Sequence, residues 1–239
     1  MKNWFLKGLR DGIPISLGYL SVSFGFGILC INLGLSVAAA VGISLTNLTS
    51  AGQVAGVGII AAGGSLLEMV LTQLVINIRY SLFAISLSQK LDVSFTTPHR
   101  IAAAFGITDE IFAVSYAQCD EPDEEKSLKP TYMYGVILIS AFGWVMGTFL
   151  GAVMGQIMPE SLSAAMGIML YSMFLAIFIP PAKKERGVLV AIIAAAICSI
   201  LFNTVLNFVG GGFAVIISAV LSAALCAVLF PIAEEEEEA

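Results

Sequence analysis

The charged residues of this sequence fall mostly into short clusters, at Lys2 to Asp11, Lys90 to Arg100, Asp120 to Lys129, Lys183 to Arg186 and Glu234 to Glu238, with long apolar stretches between them. Most of these stretches divide into segments of about 20 residues, the length of helix that crosses the hydrocarbon of a bilayer. No water is present there to bond the backbone, so such a segment satisfies its N–H and C=O groups as a helix. The composition points the same way. Only 12% of the 239 residues are charged and 58% are hydrophobic, with a mean hydropathy of +0.95, whereas soluble domains carry about a quarter charged residues. Charges this sparse cannot cover a water-soluble surface. The expected fold is all-α, a polytopic integral membrane bundle of roughly seven or eight transmembrane helices.

The expected spans run from Pro14 to Leu33, Ser36 to Ala62, Leu66 to Ser88, Ile101 to Gln118, Tyr132 to Ile157, Leu162 to Pro180, Gly187 to Val209 and Gly212 to Phe230. Lys2, Lys7 and Arg10 precede the first, which by the positive-inside rule puts the N-terminus in the cytoplasm. No small-residue cleavage site follows, so Met1 to Gly12 reads as an amphipathic lead-in at the membrane surface rather than a signal peptide. A simple eight-span count puts His99-Arg100 and Lys183 to Arg186 on opposite sides, so charge alone does not close the topology. A re-entrant second or fourth segment would change that arithmetic. Residues 1–233 read as a single transmembrane domain and 234–239 as a solvated, disordered acidic tail. That tail contributes much of the net charge of −6, which therefore implies no nucleic-acid partner. The stretch Ser23 to Leu45 resembles Gly147 to Leu170 in its glycine placing, a candidate internal repeat of the kind that builds transporters.

One stretch breaks the apolar rule. Thr46-Asn47-Leu48-Thr49-Ser50-Ala51-Gly52-Gln53 interrupts the second span with hydrophilic side chains. Non-helical backbone survives at membrane depth only where protein surrounds it or a wet cavity faces it. Read as an unwound joint between half-helices, the segment offers free N–H groups to a carboxylate and freed carbonyls to an ammonium group. A zwitterionic amino acid carries both, so Asn47, Thr49, Ser50, Gly52 and Gln53 are candidate substrate ligands. The alternative is a continuous helix whose hydroxyls bond back to the preceding turn.

The third span holds Glu68, Thr72, Gln73, Asn77 and Arg79. On a continuous helix Glu68 and Arg79 lie about 20° apart on one face. A lone cation at this depth costs at least about 2.5 kcal/mol, so Arg79 needs a partner or water. Asp109 and Glu110, expected in the middle of the fourth span, are the natural candidates, and adjacent helical residues diverge by about 100°, so only one can face Arg79. Arg79, Asp109, Glu110 and Glu68 form a candidate charge relay, in which one carboxylate pairs and the other titrates. The alternative is a structural ion pair that only holds two helices together.

The remaining signals are bland. Gly143, Gly147, Gly151 and Gly155 repeat every four residues, which smooths one helix face for close approach of another. Cys30, Cys119, Cys198 and Cys226 show no metal-ligand spacing, and three lie in apolar segments where cysteine packs as a small hydrophobe. With one histidine, His99, and no nucleophile elbow or phosphate loop, no enzyme, metal site or cofactor is expected.

Four of these pieces, "TSAGQ" ending at Gln53, "NIR" at Asn77 to Arg79, "TDE" at Thr108 to Glu110 and "WVMGTFLG" at Trp144 to Gly151, stand in an order and spacing that resemble the AzlC-like branched-chain amino acid exporters, from about Leu9 to Phe230. The resemblance implies export of leucine, isoleucine, valine or methionine as the large subunit of a two-component system, beside a small AzlD-like membrane protein. It carries Gln53, Asn77, Arg79, Asp109 and Glu110 over as functional positions. Thr49-Ser50 stand where many members have Ala-Gly, and Tyr80 replaces the His that often follows the Asn-x-Arg motif, so the resemblance leaves the cargo's side chain open.

Overall fold

The computed structural model describes residues 3–119, 127–206 and 209–231. The acidic tail lies outside them, as do residues 120–126 of the charged cluster from Asp120 to Lys129. Among the described residues the chain forms α1 Trp4–Asn32, α2 Val37–Thr46, α3 Ala51–Ala61, α4 Leu66–Asn77, α5 Arg79–Ser88, α6 Thr97–Ala104, α7 Asp109–Gln118, α8 Pro130–Gly155, α9 Glu160–Lys184, α10 Arg186–Thr204 and α11 Gly211–Leu229. An all-helical membrane bundle is what the apolar stretches required. Three described helices, α1, α8 and α11, are each long and apolar enough to cross a membrane, and α4 with α5 make a fourth candidate, bent by 45° at Ile78. The chain divides into two compact units, Met1–Val57 with Ile76–Leu170, and Gly58–Val75 with Tyr171–Ala239.

The first unit is organised around α1 and α8, which run side by side in the same direction. Gly8 and Gly12 of α1 abut Tyr132 and Val136 near the start of α8, while Gly143, Gly147 and Gly151 of α8 abut Ser16, Leu20 and Phe24 of α1. At each of these positions a Cβ would meet the facing backbone inside van der Waals contact, so the helices touch main chain to main chain. Gly155 is different, since a Cβ there would meet Ile28 at an ordinary 3.4 Å. The expected surface lead-in is instead continuous with α1. Asn3 caps the helix through its side chain, accepting from Leu6 N at 3.3 Å, and so starts it ten residues earlier than the apolarity does.

Two expected spans are broken. Ser44 on α2 and Gln53 on α3 share a hydrogen bond of 3.3 Å, whereas nine residues along a straight helix separate by about 13 Å, so the helix is sharply broken at residues 47–50. The fourth span, expected to carry Asp109 and Glu110 mid-helix, is broken at residues 105–108. His99 of α6 bonds Tyr134 near the start of α8 at 2.7 Å, and Gly106 packs on Ile137. On the return arm, Phe112 of α7 stacks on Phe83 of α5 at 4.6 Å, and Tyr116 lies under Lys90 at 4.1 Å. The loop after α5 pairs with the segment that leads into α8, through Leu91 with Leu128 and a 2.7 Å ion pair between Asp92 and Lys129. Both ends of the α6–α7 hairpin therefore lie at the end of the unit where α1 and α8 begin, with its tip about midway along α8.

The third span is also interrupted. Ser81 N bonds Ile78 O at 3.0 Å, a tightened turn at the 45° bend, which ends the stripe expected to align Glu68 with Arg79. Glu68 instead belongs to the second unit, where its Oε1 accepts from Gly212 N at 2.6 Å in the first turn of α11. A carboxylate is well placed there because the first amides of a helix lack intrahelical acceptors. In the same unit α10 packs against α11, with Gly187 facing Phe230 and Cys226 donating to Gly187 O at 3.5 Å.

Candidate functional site

The α2–α3 joint is where backbone leaves the helix inside apolar surroundings. The Thr46 hydroxyl does bond back to Gly42 O at 2.8 Å, as a continuous helix would have it, yet α2 ends there with Asn47 as its C-cap. Thr49 Oγ1 donates to Asn47 Oδ1 at 2.6 Å. Ser50 has φ +48, the left-handed region that an L side chain occupies at a cost of about 1–3 kcal/mol. Gly52 and Val54 bond back to Thr49 O and Ser50 O and restart the helix.

Gln53 is 1% exposed. Its Nε2 donates to Ser44 Oγ, Ser44 shares a 2.8 Å hydrogen bond with Thr148 Oγ1, and Thr148 donates to Trp144 O at 3.0 Å. This chain ties the joint to the middle of α8. Three buried polar atoms have no hydrogen-bond partner here: Ser50 Oγ and Gln53 Oε1 at the joint and Trp144 Nε1 on α8. Each costs roughly 1–3 kcal/mol if left that way.

The charged residues gather at the α6–α7 hairpin. Thr108 caps α7 by accepting from Ile111 N at 3.3 Å, which puts Asp109 and Glu110 in the first turn, where the helix dipole favours carboxylates. Their side chains diverge. Asp109 Oδ2 lies 3.0 Å from Arg79 Nη1, with the side chains 36% and 40% exposed, so the pair is reachable rather than sealed. Arg79 also lies over the ring of Tyr80, 5.1 Å from its centroid. Glu110 Oε2 instead accepts from the Tyr19 hydroxyl at 2.6 Å, and Tyr19 stands equally close to Thr108 Oγ1. One phenolic proton serves one acceptor, so Thr108 donates to Tyr19 and Tyr19 donates to Glu110.

Tyr19 meets the ring of Trp144 edge-on at 5.3 Å, and the Trp144 carbonyl accepts from Thr148, so the α7 charges and the α2–α3 joint are both tied to one turn of α8. Tyr19, Ser44, Trp144 and Thr148 went unrecognised as single residues in the sequence, although Trp144 and Thr148 sit inside the "WVMGTFLG" stretch one turn apart. Asn77 ends α4 beside Arg79, half-buried. Glu68 is the one predicted relay residue bound elsewhere, at Gly212. Among the described residues no group of three His, Cys, Asp or Glu is placed to hold a metal ion.

The AzlC protein family model matches residues 14–158, more than half of the chain. The chain belongs to the AzlC family. The match takes in every site residue described above, from Tyr19 to Thr148. Among relatives, the chain is 28% identical over 212 residues to inner membrane protein YgaZ of Escherichia coli, covering 87% of this chain and 86% of that one. It is 32% identical over 184 residues to a membrane protein of Archaeoglobus fulgidus, covering 76% and 78%. To the branched-chain amino acid transport protein AzlC of Bacillus subtilis it is 22% identical over 174 residues, covering 73% and 66%. No solved structure matches. Family, relatives and apolar helices together describe a multi-pass membrane protein of a transport family.

Proposed function

We propose that this protein carries neutral amino acids across the cytoplasmic membrane, with branched-chain residues or methionine as cargo, export as the direction and a small AzlD-like membrane protein as partner. The observation that carries the reading is a set of unpaired buried atoms, the acceptors Ser50 Oγ and Gln53 Oε1 at the α2–α3 joint and the donor Trp144 Nε1 on α8, one turn from the Thr148 that bonds Ser44. A zwitterion brings an ammonium for the first two and a carboxylate for the third, while an aliphatic side chain rests among apolar neighbours. Asn47, Thr49, Ser50, Gly52, Gln53 and Asn77 are the substrate-binding residues in this reading. Arg79, Asp109 and Glu110 form the charge relay and couple transport to protons, with Glu68 as a further carboxylate on the same broken span. The name of the Bacillus subtilis relative supports the substrate class.

The test is counterflow of labelled leucine in proteoliposomes that hold the purified protein, with and without the co-encoded small hydrophobic protein. A carrier exchanges internal for external leucine faster than it equilibrates against none. A passive channel, or a scaffold whose polar groups only pack helices, shows no acceleration, and that result would remove the proposal.

A further inference from the structure

We propose that a slot between α5, α6 and the start of α8 holds part of an acyl chain of an anionic phospholipid, with Arg100 binding the headgroup phosphate. The cavity measures about 190 Å³, and every residue that lines it belongs to the first unit. Leu87, Phe95, Ala103, Ile107 and Met133 line it and are buried, so its floor is apolar. Ser88 and Arg100 are the two polar residues among the lining, and both are exposed, so they stand at its mouth. Pockets for drug-sized ligands run to about 300–1,000 Å³. This one is scaled to a length of hydrocarbon chain instead.

Depth sorts the lining in the order of a lipid. The loop after α5 is tied to the segment before α8 by the 2.7 Å ion pair of Asp92 with Lys129, and His99 of α6 bonds Tyr134 at 2.7 Å. Ser88 and Arg100 therefore lie near the membrane surface at which α8 begins. Ala84 lies one turn back along α5 from Ser88, and Ile107 lies at the tip of the α6–α7 hairpin, about midway along α8. Polar groups thus stand at the surface end and hydrocarbon toward the bilayer centre, as they do along a phospholipid. Leu82 and Ile85 beside the slot on α5, with Ile101 and Phe105 along α6 and its end, are each more than half exposed, which suits a face bathed in acyl chains.

Charge selects the headgroup. Arg100 donates from Nε to Phe95 O at 3.2 Å, and among the described residues no carboxylate pairs with its Nη groups. Asp92, the acid of the adjoining loop, is held by Lys129, Ser94 and Ser127. A guanidinium offers parallel N–H groups that match phosphate oxygens, and basic pockets between transmembrane helices take anionic headgroups. A zwitterionic lipid brings its own ammonium to the phosphate and so gains less from Arg100. Ser88 gives its hydroxyl proton to Ile85 O at 2.6 Å, which leaves it an acceptor for a headgroup hydroxyl. Free phosphate would meet the same guanidinium but use none of the apolar floor.

The experiment uses the full chain, purified in detergent and stripped of native lipid, with bound lipid counted by native mass spectrometry and stability followed by thermal unfolding. The probes are phosphatidylglycerol, phosphatidylcholine with the same acyl chains, and inorganic phosphate. Wild type is expected to bind one phosphatidylglycerol at least about tenfold more tightly than phosphatidylcholine, the scale of a hydrogen bond to a charged group, and to be stabilised little by phosphate alone. Arg100→Gln should lose that preference and Arg100→Lys keep part of it. Ala104→Phe, which fills the slot and leaves the charge, should lose the tight lipid. The proposal is overturned if wild type shows no preference, if inorganic phosphate stabilises it as much as phosphatidylglycerol does, or if Arg100→Gln keeps the preference. It is overturned equally if Ala104→Phe binds as wild type does, the result expected where a protein segment covers the slot. The comparison of probes on wild type requires no variant to fold, and the readout is binding, independent of what the protein carries.

Discussion

Tyr19 on α1 and Glu110 on α7 stand 91 positions apart in the chain and share a 2.6 Å hydrogen bond. The bond fixes which carboxylate of the Asp109-Glu110 pair is left for Arg79. Tyr19→Phe removes the donor and leaves Glu110 unbound in apolar surroundings. A hydrogen bond to a charged group contributes about 1.5–3 kcal/mol. The variant is expected to lose thermal stability of that order and to show a transport pH profile displaced from wild type, read by unfolding in detergent and by leucine flux across a pH series.

Asp109→Asn and Glu110→Gln keep size and remove charge. Each is expected to abolish or uncouple transport while the protein still inserts and purifies, and wild-type flux through the double variant would end the relay idea. Arg79→Gln combined with Asp109→Asn should be more stable than either single change, because a lone charge at that depth costs more than a missing pair. A double-mutant cycle in thermal unfolding checks this.

Gly151→Ala and Gly155→Ala test the α1–α8 contact. At Gly151 the added carbon meets the Phe24 backbone, which cannot step aside, whereas at Gly155 it meets Ile28 at 3.4 Å. Gly151→Ala is expected to lower the yield of monodisperse protein several-fold, and Gly155→Ala to leave it near wild type, measured by size-exclusion chromatography after extraction.

At the loop between α5 and α6, Lys129 first and then the Ser94 hydroxyl and amide hold the Asp92 carboxyl well below the usual carboxylate range. A depressed carboxylate adds stability that is complete above its unfolded value of about 3.9 and fades only as pH falls through the folded one. The amides of Asp92 and Leu128, which bond Leu128 O and Lys90 O, should therefore exchange equally slowly from about pH 7 to pH 5. Lys129→Met is expected to speed their exchange over that range, with the difference from wild type shrinking as the carboxylate protonates.

The legible part of this fold follows from contrast. Thr46 to Gln53 stood out because hydrophilic residues interrupt an apolar run, and the joint lies there. Residues 105–108 did not, because Phe105, Gly106 and Ile107 read as more span, although Thr108 followed by two acids is a helix start signal in its own right. The bend at Ile78 had no such signal, so the alignment of Glu68 with Arg79 was drawn on a helix that does not continue. Tyr19 and Trp144 were out of reach for another reason. A lone aromatic in an apolar helix gains its meaning from a partner on a distant element, here Glu110 for Tyr19 and Tyr19 for Trp144.

The glycine contact between α1 and α8 has a consequence for synthesis. About 100 residues separate the end of α1 from the start of α8, which at roughly 5–20 residues per second is a wait of about 5–20 s on the ribosome. During that time the groove of α1 faces lipid or the insertion machinery, and neither α2 nor the α6–α7 hairpin has the rod it packs against. A nascent chain stalled before Pro130 would hold α1 without its partner helix, so the rate at which this stretch is translated bears directly on how much protein assembles.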